Sequence, residues 1–196
     1  MPITHKIEKE EVSILVWEIT ETLEELLDLY GNINTTNYTS EKRKKEHLIS
    51  RLMVSKICKN EAIIYNEFGA PELDNAKHLS ITHSNELVAV IISDTKSGID
   101  IEKISEKALR IASKFISEKN LIQLNKDKAT LIWCLKEAIY KWHQKGGVDF
   151  IKDIIISELF AKNHGEVTAY FREKELNLNY LKINNHYLVY VCNKNR

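Results

Sequence analysis

Proline and glycine are scarce, at 2 and 6 among 196 residues. Such sparse punctuation leaves no Ser/Gly-rich linker, no low-complexity tract and no repeat of solenoid length. Cysteine is scarce as well. Cys58, Cys134 and Cys192 lie far apart, make no CxxC pair, and are odd in number, which argues against a disulfide framework. They read as small apolar fillers in a reducing compartment. No uninterrupted apolar run is long enough to span a bilayer. The start, Met1-Pro2-Ile3-Thr4-His5-Lys6, runs into the charges Glu8, Lys9, Glu10 and Glu11 without the apolar segment of a signal peptide, so a cytoplasmic location is expected. Net charge is missing too: 28 basic residues balance 28 acidic ones and the pI is about 7.1. A general binder of nucleic acid or anionic membrane is normally clearly basic, so neither partner is expected.

What is present is ordinary for a globular chain, 43% hydrophobic and 29% charged, with length for one large domain or two small halves. Residues 12–19 are β-branched and aromatic, a strand. Leu23, Leu26, Leu27 and Tyr30 repeat at helical spacing, and Gly31 stops that helix. Thr39 and Ser40 can cap a second helix running to about Cys58, apolar at Leu48, Ile49, Leu52, Met53 and Ile57 and basic at Lys42, Arg43, Lys44, Lys45 and Arg51. Short strands follow at 62–65 and 79–82, with the turn Gly69-Ala70-Pro71 between them. Residues 87–93 and 98–104 read as a β-hairpin closed by Asp94-Thr95-Lys96-Ser97. Helices at 105–115, 117–124 and 126–143 come next. Strands at 166–171, 176–183 and 186–192 end the chain, the last two joined by Asn184-Asn185. The order is an α+β pattern, with a boundary near Ser105 that divides it into 1–104 and 105–196.

Three segments carry chemistry. In Gly98-Ile99-Asp100-Ile101-Glu102, strand alternation sends Ile99 and Ile101 to a core and sets Asp100 and Glu102 side by side on the other face. Paired carboxylates repel, and a hard divalent cation with oxygen ligands relieves that; a plain solvated strand face is the alternative. In the helix around Trp133-Cys134-Leu135-Lys136-Glu137-Ala138-Ile139-Tyr140-Lys141, the buried stripe is Ile132, Leu135, Ile139 and Trp142. Trp133, Glu137 and Lys141 then share another face, which read alone is a surface Glu–Lys pair. In Ser80-Ile81-Thr82-His83-Ser84, a histidine between two hydroxyls suits a phosphate, although a lone solvated histidine has the same appearance.

In this order and spacing, Thr82-His83-Ser84, Gly98–Glu102 and Trp133–Lys141 resemble the 4′-phosphopantetheinyl transferase superfamily, in its larger, surfactin-synthetase-activating type. The resemblance covers most of 40–145. It implies a pseudo-dimer of two similar halves, each with helices on a small antiparallel sheet and the active site in the cleft between them. It also implies coenzyme A as donor, Mg²⁺ as cofactor with Mn²⁺ able to substitute, and a serine of an apo acyl or peptidyl carrier protein as acceptor, in a monomeric enzyme. Carried over by position, Asp100, Glu102 and Glu137 are the metal ligands. Glu137, Lys141 and His83 are the catalytic groups. Lys42, Arg43, Lys45, Arg51, Gly69, Pro71, Thr82, His83, Ser84, Lys136 and Lys141 hold the coenzyme. Ala70 departs from the basic residue usual in the family's Gly-x-Pro turn, and Asn120 replaces the glutamate of its Phe-x-Ser-x-x-Glu segment. Lys107, Arg110 and Lys114, at helical spacing, are candidates for meeting an acidic carrier; a solvated helix face is the alternative. A Mg²⁺-dependent nuclease is disfavoured because Lys103 follows Glu102 with no spacer and the chain is neutral. A non-catalytic module binding coenzyme A or a carrier is the remaining alternative.

Overall fold

The computed structural model describes residues 3–30, 38–59, 61–75, 77–118, 121 and 124–192. Two antiparallel sheets pack face to face, with helices on their outer sides. The first sheet has the order β1 (Ile3–Lys9), β2 (Val12–Glu18), β6 (Leu87–Ser93), β5 (His78–Ser84). Its outer face packs under α1 (Leu23–Tyr30) and α2 (Glu41–Ile57) through Leu15, Trp17, Val88, Val90, Leu26, Leu48, Ile49 and Met53. The second sheet has the order β7 (Ser97–Lys103), β11 (His186–Cys192), β10 (Lys174–Ile183), β9 (His164–Phe171), β8 (Ile154–Ile156). Its outer face is covered by α4 (Lys126–His143), whose Leu131, Cys134, Leu135, Ala138 and Ile139 meet Leu178, Val189 and Val191. Between the sheets lies a third apolar layer of Ile14, Val16, Ala89 and Ile91 against Ile99, Ile101, Leu188 and Tyr190. Every residue of β6 is buried because both of its faces are covered, which is why it reads as a continuous apolar run. A small hairpin of β3 (Ile63–Tyr65) and β4 (Pro71–Leu73) completes the strands among the described residues.

The α+β class, the two long helices and the later strands stand where the sequence places them. Ser40 caps α2 by accepting the Arg43 amide at 3.3 Å; Gly31 lies outside the described residues. Two expectations change. Residues 87–93 and 98–104 are both strands but not a hairpin. Both edges of β6 are taken, by β2 and β5, so β7 has no edge to join there and pairs with β11. The strand carrying Asp100 and Glu102 therefore belongs to the second sheet rather than to a unit ending at 104. The helix expected over 105–115 is shorter, α3 (Glu106–Arg110) followed by a 3₁₀ turn at Ala112–Lys114. The helix expected over 117–124 falls partly on 119, 120, 122 and 123, outside the described residues, and so does Asn120. Strands β1, β4 and β8 were not anticipated: β1 is an edge strand with mixed charges, and β4 and β8 have only three residues each.

Candidate active site

The site is built where α4 lies flush on β7. A Cβ on Gly98 would stand 2.1 Å from the Ala138 carbonyl oxygen and 2.5 Å from the Trp142 nitrogen. Only the missing side chain lets the helix backbone come so close. That contact brings the Glu137–Lys141 face of α4 onto the outward carboxylates of β7. Lys141 Nζ sits 2.6 Å from Asp100 Oδ1, and Thr82 donates its hydroxyl to the same oxygen at 2.9 Å. The other oxygen, Asp100 Oδ2, is buried and has no hydrogen-bond partner. Glu102 accepts the Trp133 indole N–H at 3.1 Å and has a longer contact, 3.5 Å, from Ser84. Trp133 is itself held between Phe115 and Phe150, at ring distances of 5.0 and 5.7 Å. Burial, reinforced by the Asp100 charge, raises the carboxyls of both Glu102 and Glu137, the latter to about 7.

The edges of the two sheets meet at β5 and β7 through hydroxyls rather than through a backbone ladder. Ser80, Thr82 and Ser84 accept the amides of Ile99, Ile101 and Lys103 at 3.2, 3.2 and 3.1 Å. These alternate residues of β5 all turn inward and are buried. The expectation that Thr82, His83 and Ser84 jointly hold a phosphate therefore changes. Strand alternation sends His83 to the opposite face, and the hydroxyls of Thr82 and Ser84 are used in the joint between the sheets.

His83 faces α2, where Arg43 Nη1 donates to His83 Nε2 at 2.6 Å and to Glu46 Oε2 at 3.1 Å. These groups line a cavity of about 250 Å³ together with Arg51, Gly69 and Pro71. Gly69 has φ 77°, a turn conformation natural to glycine. Beside it is a second cavity of about 210 Å³ that shares Gly69 and Pro71 and adds Tyr140, Lys141, Gln144 and Lys145. Lys42 and Lys45 open mainly onto another surface, although Lys42 also reaches Glu46 Oε1 at 3.8 Å. They line a separate depression with Glu41, Asn85 and Glu86, and Lys45 is paired with Glu41 at 3.0 Å. Lys136 is the clearest correction. It is 5% exposed and its ammonium donates to the Phe150 and Ile154 carbonyls at 2.5 and 2.6 Å. A buried ammonium must be satisfied internally, and these backbone acceptors do so away from both cavities; burial lowers its pKa to about 8.

Among the described residues no three His, Cys, Asp or Glu side chains form a ready-made metal cage. The chemistry of the donors nevertheless fits a hard divalent cation. The donors are carboxylates only, Asp100 Oδ2 is an unpartnered buried acceptor, and each of Asp100 and Glu102 makes ionisation of Glu137 harder, a conflict that a cation relieves. Sequence reasoning missed Glu46, Tyr140, Gln144 and Lys145. Glu46 left a readable signal, since it is an acid on the buried stripe of α2 with Ile49, Ser50 and Met53.

Comparison with known proteins points to one family. Residues 96–192 match the model of the 4′-phosphopantetheinyl transferase superfamily. The chain is 38% identical over 96 residues to the 4′-phosphopantetheinyl transferase gsp of Aneurinibacillus migulanus, covering 44% of this chain and 40% of that protein. It is 35% identical over 83 residues to the 4′-phosphopantetheinyl transferase Sfp of Bacillus subtilis (strain 168), covering 39% of this chain and 37% of that protein. The matched stretch thus spans about two-fifths of the length of these relatives. No helix among the described residues is long and apolar enough to cross a membrane.

Proposed function

We propose, from the premise that residues 96–192 belong to the 4′-phosphopantetheinyl transferase superfamily, that this protein moves the 4′-phosphopantetheine arm of coenzyme A onto a serine of an apo acyl or peptidyl carrier protein. The observation that carries the reading is the meeting of Asp100, Glu102, Glu137 and Lys141 on the face that Gly98 opens between β7 and α4. In this reading the chain is a pseudo-dimer of two similar halves with the active site in the cleft between them. Two antiparallel sheets, each with helices on its outer face and joined along β5 and β7, support it. A single chain then carries both walls of the cleft, and a monomer suffices.

In the reaction the serine oxygen forms a bond to the β-phosphorus of coenzyme A. The anhydride P–O bond on the nucleotide side breaks, and 3′,5′-ADP leaves with the electron pair. Transfers of this type depend on positioning and charge stabilisation more than on covalent help. Asp100, Glu102 and Glu137 would hold a divalent cation, with Mg²⁺ the one we assign, which when bound supplies neutralising charge at the pyrophosphate. Glu137, whose carboxyl ionises at about 7 in the metal-free protein, takes the serine proton as general base. Lys141, already at the centre of the carboxylate group, offsets charge growing on the leaving phosphate. Arg43, Arg51 and His83 face the cavity that would take the other coenzyme phosphates. Lys107 and Arg110 are exposed on α3, just beyond Glu102, where an acidic carrier would approach.

Glu137→Gln is the test. Chromatographic detection of 3′,5′-ADP in the presence of coenzyme A, Mg²⁺ and apo carrier should show turnover reduced about a hundredfold or more, with coenzyme A binding retained by calorimetry. Turnover near the wild-type rate would remove Glu137 from the chemistry.

A further inference from the structure

A carboxylate lies buried at the cationic end of the cleft, where a phosphate-binding surface has no evident use for a negative charge. Glu46, on α2, is 4% exposed, yet three basic side chains turn toward it. Arg43 Nη1 is 3.1 Å from Oε2, His83 Nδ1 is 3.5 Å from Oε1, and Lys42 Nζ is 3.8 Å from Oε1. Oε1 has no hydrogen-bond partner. Arg43 has only N–H groups to offer, so the His83 Nε2 that receives one at 2.6 Å is the bare nitrogen. The single proton of a neutral His83 is therefore on Nδ1, facing the unpartnered oxygen of Glu46.

We propose that Glu46 is a positioning residue for the coenzyme's phosphates. One of its oxygens keeps Arg43 beside the cavity, and the other receives the Nδ1–H of His83, so that Nε2 is aimed at a phosphate oxygen. The inference rests on the reading that coenzyme A binds in this cleft.

The proton accounting follows from the geometry. With Nε2 bare, His83 cannot donate to a phosphate. It gains that ability by taking one proton from solvent onto Nε2 as Arg43 turns its N–H to the incoming anion. The imidazolium then donates by Nδ1–H to Glu46 and by Nε2–H to phosphate. Burial disfavours this charged form, and Arg43 and Lys141 oppose it further, while Glu46 favours it. Glu46 is the charged group that makes the imidazolium tenable, as a carboxylate behind a ligating or catalytic imidazole does elsewhere.

The sign of one substitution separates this role from simple charge balance. If Glu46 were only a misplaced anion, Glu46→Gln would tighten binding of polyanionic coenzyme A. As a positioning residue its loss weakens binding, by about tenfold for a charge-assisted hydrogen bond. Calorimetry of coenzyme A with wild type, E46Q, H83A and the double variant measures both sign and coupling. The expected result is weaker binding in E46Q and a smaller loss when E46Q is added to H83A than when it is made in wild type, the remainder being the share that acts through Arg43. Equal or tighter binding in E46Q, or losses that multiply in the double variant, overturns the proposal. Should E46Q fail to fold, wild type and H83A titrated in buffers of different ionisation heat give the second readout. Net proton uptake must be greater in wild type, and equal uptake overturns the proposal. Absence of coenzyme A binding to wild type would instead overturn the reading on which the proposal rests.

Discussion

Burial and the Asp100 charge hold the Glu137 carboxyl at about 7, against an ordinary value of 4.5. Because the folded value is the higher one, the metal-free native state keeps a proton that the unfolded chain has released between these two limits. That contribution to stability is present at low pH and is lost as pH rises through about 7. A divalent cation needs the ionised form and must displace the proton. Mn²⁺ binding followed by electron paramagnetic resonance should therefore weaken as pH falls below 7, by up to about tenfold per unit, and E137Q should flatten the dependence. An unchanged slope in E137Q would place the titrating group elsewhere. At this scale much was legible in advance. Alternation alone put Asp100 and Glu102 on one face, and helical spacing put Glu137 and Lys141 on another. Their meeting was not legible, because nothing local to either segment says which strand lies beneath which helix. Lys136 misled for a similar reason: a lysine one residue from the proposed catalytic Glu137 lies on a different face of α4, and its carbonyl partners Phe150 and Ile154 are 14 and 18 residues away.

Between α4 and β7 the spacing is set by a hydrogen atom. Gly98 sits under the carbonyl of Ala138 and the amide of Trp142, and any side chain there must lift the helix or bend the strand. Gly98→Ala should cost about 1–3 kcal/mol in urea unfolding, the range of an overpacked core, and should lower the proposed transferase activity beyond what the remaining folded fraction explains. Wild-type stability in G98A would mean that the close approach is not needed. The joint between β5 and β7 is just as local in form and was just as hidden. Thr82 and Ser84, either side of His83, look in sequence like phosphate ligands, a reading that needs their hydroxyls to point outward. In the fold they point inward and accept the free amides of β7, because β7 has one edge paired with β11 and the other would be buried with unsatisfied N–H groups. The β6–β7 hairpin was misjudged on the same ground, since a short polar turn between two apolar strands reads alike whether the strands pair or part.

Across the molecule, three apolar layers stack between α2 and α4. The middle one is the layer least visible in the chain. Ile14 and Val16 alternate with Leu15 and Trp17, and Ala89 and Ile91 with Val88 and Val90, so both faces of β2 and β6 are apolar. Periodicity then reports burial without reporting what covers each face. Helix-on-sheet packing was foreseeable from α2 and α4, but sheet-on-sheet packing was not. That stacking sets the edges of β5 and β7 together beneath α4 and so places the cationic cavity of Arg43 and His83 next to the carboxylates of Asp100, Glu102 and Glu137. One measurement tests the resulting account most directly: intact-protein mass spectrometry of an apo acyl carrier protein after incubation with this protein, coenzyme A and Mg²⁺. The account predicts a gain of one phosphopantetheine group on the carrier, abolished by chelator and by Asp100→Asn. Binding of coenzyme A with no mass gain on acyl, peptidyl or polyketide carriers would contradict it and leave a binding module in its place.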